Sequence, residues 1–261
     1  MLSTTNGFLD PLPLWTILPI TVAIALLSVQ LGFKIAQYRR RRTVDEQEAL
    51  PAGMVAATLA LLAFMLAFTF GLASSRFETR RQLVQSEANA IATTYLRAGL
   101  LPEPIQTEVR AMLREYVDVR LTGTTQQDKL TESIAKSEEL HKRLWSQAVA
   151  LGEKDRSAIT SLFVQSLNQV IELHSQRLMA GLRSRIPAAI WIVLYSLIIL
   201  AMAAVGYQEG MGSKRRSLAV VMLVLGFSAV LYLIADLDRP GRGWLQVNQE
   251  SMTDLQRSMK D

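Results

Sequence analysis

Four stretches of the chain are apolar for about the length that a helix needs to cross a bilayer, and the polar residues gather between and beyond them. A hydrocarbon core of about 30 Å takes about 20 apolar residues in an α-helix. The first stretch runs from Leu14 to Phe33, with Lys34 placed to snorkel at its end. The second, Gly53 to Ala73, carries no charge. The third spans Ala188 to Gly206 and the fourth Leu218 to Ala235. The pattern predicts an all-α membrane protein with four transmembrane helices, in two pairs that flank a helical extramembrane domain. Its divisions are a tail with helix one (1–36), a basic short loop (37–52), helix two (53–73) and the helical domain (74–187). Helix three (188–206), a second basic loop (207–217), helix four (218–235) and a C-terminal tail (236–261) follow.

Between the pairs, apolar positions recur at helical rather than strand spacing. Phe77, Leu83 or Val84, Ala88, Ile91 and Tyr95 continue helix two into water, until Gly99 and Pro102-Glu103-Pro104 stop it. A second helix is expected over about Ile105 to Leu121, broken at Thr122-Gly123-Thr124-Thr125. A third covers about Gln127 to Ala150, with Leu130, Ile134, Leu140, Leu144 and Trp145 as its stripe, and Gly152 ends it. A fourth starts near Asp155, shows Ile159, Leu167, His174 and Leu178, and runs on into membrane helix three with Pro187 as a kink. Helices two and three are thus expected to extend beyond the bilayer.

Charge sets the orientation. Short loops rich in Lys and Arg stay in the cytoplasm. The tail Met1–Pro11 has no Lys or Arg, whereas the two short loops carry Arg39-Arg40-Arg41-Arg42 and Lys214-Arg215-Arg216. Both loops should be cytoplasmic, in a multi-pass protein of a bacterial inner membrane, with both termini and the domain on the far side. The first stretch lacks a basic leader region and a small-residue cleavage site, so it is expected to be a retained helix. The net charge of +5 then has its source in orientation signals, and no aromatic-interleaved basic patch suggests nucleic acid.

The chemistry of an enzyme is missing. There is no cysteine, and the two histidines are His141 and His174. His141 lies in the polar segment Glu138-Glu139-Leu140-His141 and is expected on a solvated face, while His174 falls on an apolar stripe and should be packed. No nucleophile turn, phosphate loop, metal-ligand spacing or cofactor motif occurs. What stands out is charge at the membrane exits: Arg76, Arg80 and Arg81 after helix two, and Asp236, Asp238, Arg239 and Pro240 after helix four. Charges beside hydrocarbon are costly unpaired. Arg76, Arg80 or Arg81 should therefore pair with Asp236 or Asp238, as a structural clasp or as a charged pore mouth.

Helix two and its continuation read Phe68-Thr69-Phe70-Gly71, Ser75-Arg76-Phe77, Arg80-Arg81-Gln82-Leu83, Glu87-Ala88-Asn89-Ala90-Ile91 and Thr94-Tyr95-Leu96-Arg97. With Ala201-Met202, Gly206-Tyr207, Gly210, Asp236-Leu237-Asp238-Arg239-Pro240, Gln249 and Met252-Thr253-Asp254-Leu255, these segments resemble the bacterial bestrophin-like family of unknown function, from about residue 50 onward. That family is similar to bestrophins, pentameric anion channels whose second membrane helix lines the pore. The resemblance implies a homo-oligomer, a pentamer by analogy, passing small anions, with Phe64 and Phe68 as a hydrophobic neck one turn apart. Two departures accompany it. Asp236 and Asp238 are too sparse for the calcium clasp of animal bestrophins, and bestrophin termini and domain are cytoplasmic, opposite to the side that the loop charges indicate. The small residues Ala56, Ala60, Ala63, Ala67 and Gly71 also suit close helix packing. The alternative to a channel is a non-conducting scaffold or envelope sensor whose helical domain binds a partner.

Overall fold

The computed structural model describes residues 7–42, 52–212, 218–239 and 243–260, and these form helices α1 (Leu14–Arg42), α2 (Ala52–Ala98), α3 (Ile105–Thr125), α4 (Leu130–Lys154), α5 (Ala158–Leu182), α6 (Ala188–Met211), α7 (Leu218–Asp238) and α8 (Glu250–Ser258). One 3-10 turn, Gln127–Lys129, precedes α4, and no strand occurs among the described residues. The basic run Lys214–Arg216, most of the first short loop and Pro240 lie outside them. α1, the first part of α2, α6 and α7 each contain a stretch long and apolar enough to cross a membrane, so the chain is an all-helical, multi-pass membrane protein.

Two units divide the chain: residues 1–76 with 185–245, and residues 77–184 with 246–261. α2 belongs to both, as one uninterrupted helix of 47 residues, about 70 Å long at 1.5 Å per residue. Its end at Ala98 falls where Gly99 and the two prolines were expected to stop it.

The membrane unit is built on a seam between α1 and α6. The two helices run parallel, and small residues at four-residue spacing, Gly32 with Ala36 and Gly206 with Gly210, let their backbones touch. A Cβ on Gly206 would overlap the Val29 carbonyl, and one on Gly32 the Ala203 carbonyl. Thr21 and Tyr195 share a hydrogen bond of 3.1 Å on the same seam. Forcing side-chain volume into a packed contact costs about 1–3 kcal/mol. Gly206→Val should therefore lower the unfolding free energy in detergent by at least that amount. Gly226→Val, at a position with nothing within 4 Å of the added carbon, should leave it unchanged.

The second unit packs the outer half of α2 with α3, α4, α5 and α8 around Ile91, Leu113, Tyr116, Leu144, Phe163 and Leu167. α3 runs straight through the expected break at Thr122–Thr125. The hydroxyls of Thr122, Thr124 and Thr125 bond back to carbonyls one turn earlier, and Gly123 lets α3 lie against Ser133. α4 likewise passes Gly152. α5 begins at Ala158, capped by the Ser157 hydroxyl on the Thr160 N–H at 3.3 Å. The C-terminal tail corrects the expectation most: it folds into α8, and Met252, Leu255 and Met259 join the core.

Where the sequence predicts a kink at Pro187, the helix stops at Leu182 and restarts at Ala188. Proline lacks an N–H and pushes the residue before it away from helical geometry. Ile186 gives its freed N–H to the Asp238 carboxylate at 2.9 Å instead.

Candidate functional site

Asp10, Arg76, Arg185, Asp238 and Arg239 bring the start of α1, the exit of α2, the approach to α6 and the end of α7 to one level of the membrane unit. Asp238 is 5% exposed. Its Oδ1 accepts the Ile186 N–H and lies 3.8 Å from Arg76 Nη1, while its carbonyl accepts from Arg185 Nη1. Arg185 Nη2 also donates to Asp10 Oδ2 at 3.0 Å. Arg239 approaches Asp10 at 3.8 Å and donates to the Leu9 carbonyl. Three guanidiniums thus enclose two carboxylates, which satisfies charges that hydrocarbon would otherwise penalise.

The other expected members go elsewhere. Asp236, only 2% exposed, does not take an arginine; its two oxygens accept the backbone N–H groups of Trp244 at 2.9 Å and Leu245 at 3.1 Å. The physical reason is position: Asp236 points toward the returning chain, whose N–H groups have no helix to join. Arg81 pairs with Glu78 one turn back on an exposed face at 3.6 Å. Arg80 is buried and belongs to the helical unit. Among the described residues, no group of three or more His, Asp or Glu side chains is placed to hold a metal ion.

Within the membrane unit, α2 buries one face and leaves the opposite one open. Val55, Leu62, Leu66, Thr69 and Ala73 are buried. Phe64 at 66% exposure and Phe68 at 56% lie one turn apart on the far side, with Leu61 and Gly71 beside them. Helical periodicity requires this separation, because steps of two from the buried stripe point the other way.

The helical unit holds a polar cluster that the sequence reading missed. Glu87 on α2 is fully buried and accepts from Tyr116 Oη at 2.6 Å, from Arg120 Nη2 at 3.4 Å and from Arg177 Nη1. Arg177 also donates to the Gln249 side chain at 3.3 Å. Because Tyr116 donates to Glu87, its 3.1 Å contact with His174 Nδ1 requires that ring nitrogen to carry the proton. His141 is buried too, correcting the expected solvated face. Its ring stands edge-on to His174 with centroids 4.8 Å apart, and 4.8 Å from the Tyr116 ring. The Nε2 atoms of both histidines are buried without a hydrogen-bond partner among the described residues.

Burial disfavours the Glu87 carboxylate, but Arg120 and Arg177, with the Tyr116 and Arg177 hydrogen bonds, outweigh it and hold the group down at about 2. Burial lowers His141 to about 4, with Arg120 adding to the effect and Glu87 opposing it. Burial, then Arg120, lowers His174 to about 3. Both rings are neutral at pH 7, and Glu87 is ionised.

A family model, the Bestrophin-like domain, matches residues 21–252. No curated protein matches the chain. Among solved structures, one variant of a bacterial bestrophin homologue from Klebsiella pneumoniae superposes with a TM-score of 0.70 at 14% identity, covering 93% of this chain and 96% of that one. A second variant of the homologue gives 0.68 at 14% identity, over 92% and 97%. Another solved membrane protein gives 0.67 at 13% identity, over 94% and 97%. At such identities the likeness is one of fold.

Proposed function

The chain belongs to the Bestrophin-like family, and from that premise we propose that it is a homo-oligomeric channel for small anions, with α2 lining the path. The observation that carries this reading is the open face of α2. A span that buries Leu62 and Leu66 within its own subunit, yet leaves Phe64 and Phe68 uncovered on the other side, is suited to facing a central axis shared with other copies. Two aromatic rings one turn apart make a constriction that gates by excluding water. Arg76, Arg185 and Arg239 gather three guanidiniums near the exit of α2, which supports anions as the passing ions.

Purified protein in liposomes should pass chloride above the level of empty vesicles. Phe64→Ala and Phe68→Ala should each raise that flux several-fold by widening the neck. A folded, membrane-inserted protein with no flux in any of these forms would sink the proposal and favour the scaffold or sensor reading. A stoichiometric partner crosslinked to the helical unit would then support that alternative.

The Lys and Arg of the short loops support an orientation with those loops in the cytoplasm of a bacterial inner membrane and the helical unit outside. The chain has no cysteine, so one added residue reports its own side. Thr124→Cys, on an exposed turn at the end of α3, should react with a membrane-impermeant maleimide in intact spheroplasts. Protection there, with reaction only after permeabilisation, would reverse the orientation.

A further inference from the structure

Two tryptophans are left uncovered by the rest of the chain at the end of the membrane unit where the charges gather. Trp15, in the first turn of α1, is 73% exposed, and Trp244 is 87% exposed. The same layer of ion pairs locates them. Asp10, just before α1, is bound by Arg239, just after α7, so the start of α1 and the end of α7 lie side by side. Trp244 does not stand on a loose end. Asp236, in the last turn of α7, accepts from the backbone N–H groups of both Trp244 and Leu245, which holds the backbone that carries the indole.

An indole has an apolar body and one N–H donor, and it favours the boundary between acyl chains and headgroups. Outward Leu18 continues the apolar surface along α1, and the Arg185–Asp10 ion pair lies beside its start. We propose that Trp15 and Trp244 form an interfacial anchor that seats in the headgroup–acyl boundary of the phospholipid bilayer, and that Asp236 is the positioning residue for Trp244. The anchor sets the depth of the membrane unit at the end from which α2 emerges. This assignment rests on the membrane spans alone and does not depend on conduction.

Fluorescence quenching in liposomes tests it. Vesicles of phosphatidylcholine brominated near the headgroup, or near the chain ends, quench only tryptophans at matching depth. Trp191, buried, and Trp145, in the helical unit, provide a background that the Trp15→Phe/Trp244→Phe double variant retains. Wild type should be quenched most by the shallow bromines, and the double variant should lose most of that quenching. Trp15→Phe should keep the part due to Trp244. Adding Asp236→Ala to Trp15→Phe should then remove the remaining shallow quenching without changing helix content. Quenching of Trp244 by aqueous iodide and not by bromolipid would overturn the proposal, because the indole would lie in water. Quenching by neither would also overturn it, because Trp244 would then be packed against a second copy of the chain.

Discussion

Exchanging Glu87 for alanine should open the core of the helical unit, lowering amide protection in α3, α4 and α5 by about two to four orders of magnitude. Removing one partner from a buried ion pair costs about 3–5 kcal/mol, since the remaining charge is left without compensation. Here two charges are left. Arg120, 7% exposed, and Arg177 converge on the same carboxylate, and without it they face one another and the Tyr116 hydroxyl. Burial already works against the charge on Arg177, with Glu87 the main opposing influence. Glu87→Gln should lose less, because the amide oxygen still accepts from Tyr116 although it returns no charge. Hydrogen exchange on the full-length protein in detergent reads both, with the amides of α6 as an internal reference. Protection in α3–α5 that matches wild type in the alanine variant would show that the cluster does not hold this unit together.

Acid should loosen the same unit before it touches the membrane helices. A histidine lowered from 6.5 in the unfolded chain to about 4 or about 3 in the folded one binds fewer protons when folded. The unfolded state therefore takes up more protons across that interval, and stability rises with pH there. The contribution is complete above about pH 6.5 and is lost as pH falls towards 4 for His141 and 3 for His174. Glu87, lowered from 4.5 to about 2, adds a second loss between those values as its carboxylate is protonated. The groups that face the two rings are Glu87 from α2, Tyr116 and Arg120 from α3, and Arg177 from α5; the rings themselves come from α4 and α5. Each depressed histidine makes opening about tenfold easier per pH unit within its window. Hydrogen exchange corrected for its intrinsic pH dependence should thus show a slope near two protons between pH 6.5 and 4.5. His141→Leu should halve that slope while keeping the site apolar and filled. A slope unaffected by His141→Leu would remove His141 from the account.

How much of this was legible depended on distance along the chain. The four spans could be read because a charge-free run of that length has few alternatives to crossing a membrane, and the continuation of α2 followed from a stripe that never breaks before Gly99. α8 escaped notice because nine residues carry only Met252 and Leu255 as a stripe, too short to separate from a polar tail. His141 was misplaced because the buried face of α4 includes Ser133 and Ser137, so small polar residues masked the stripe on which the histidine sits. Glu87 was visible as part of a motif but not as a centre. Its partners Arg120 and Arg177 lie 33 and 90 residues away on other helices, and no local spacing announces them. Asp236 looked like half of an ion pair because sequence shows a charge near the membrane, not the N–H groups that return to it.

The α1–α6 seam has a consequence for how the protein is made. Thr21 and Tyr195, which meet across it, are 174 residues apart in the chain. A ribosome adding about 5–20 residues per second needs about 9–35 s to cover that interval. Through that time α1 is already in the membrane while its glycine face has no α6 to receive it. Cells that make this protein must therefore tolerate, or shield within the insertion machinery, a half-built span whose backbone is open along one side.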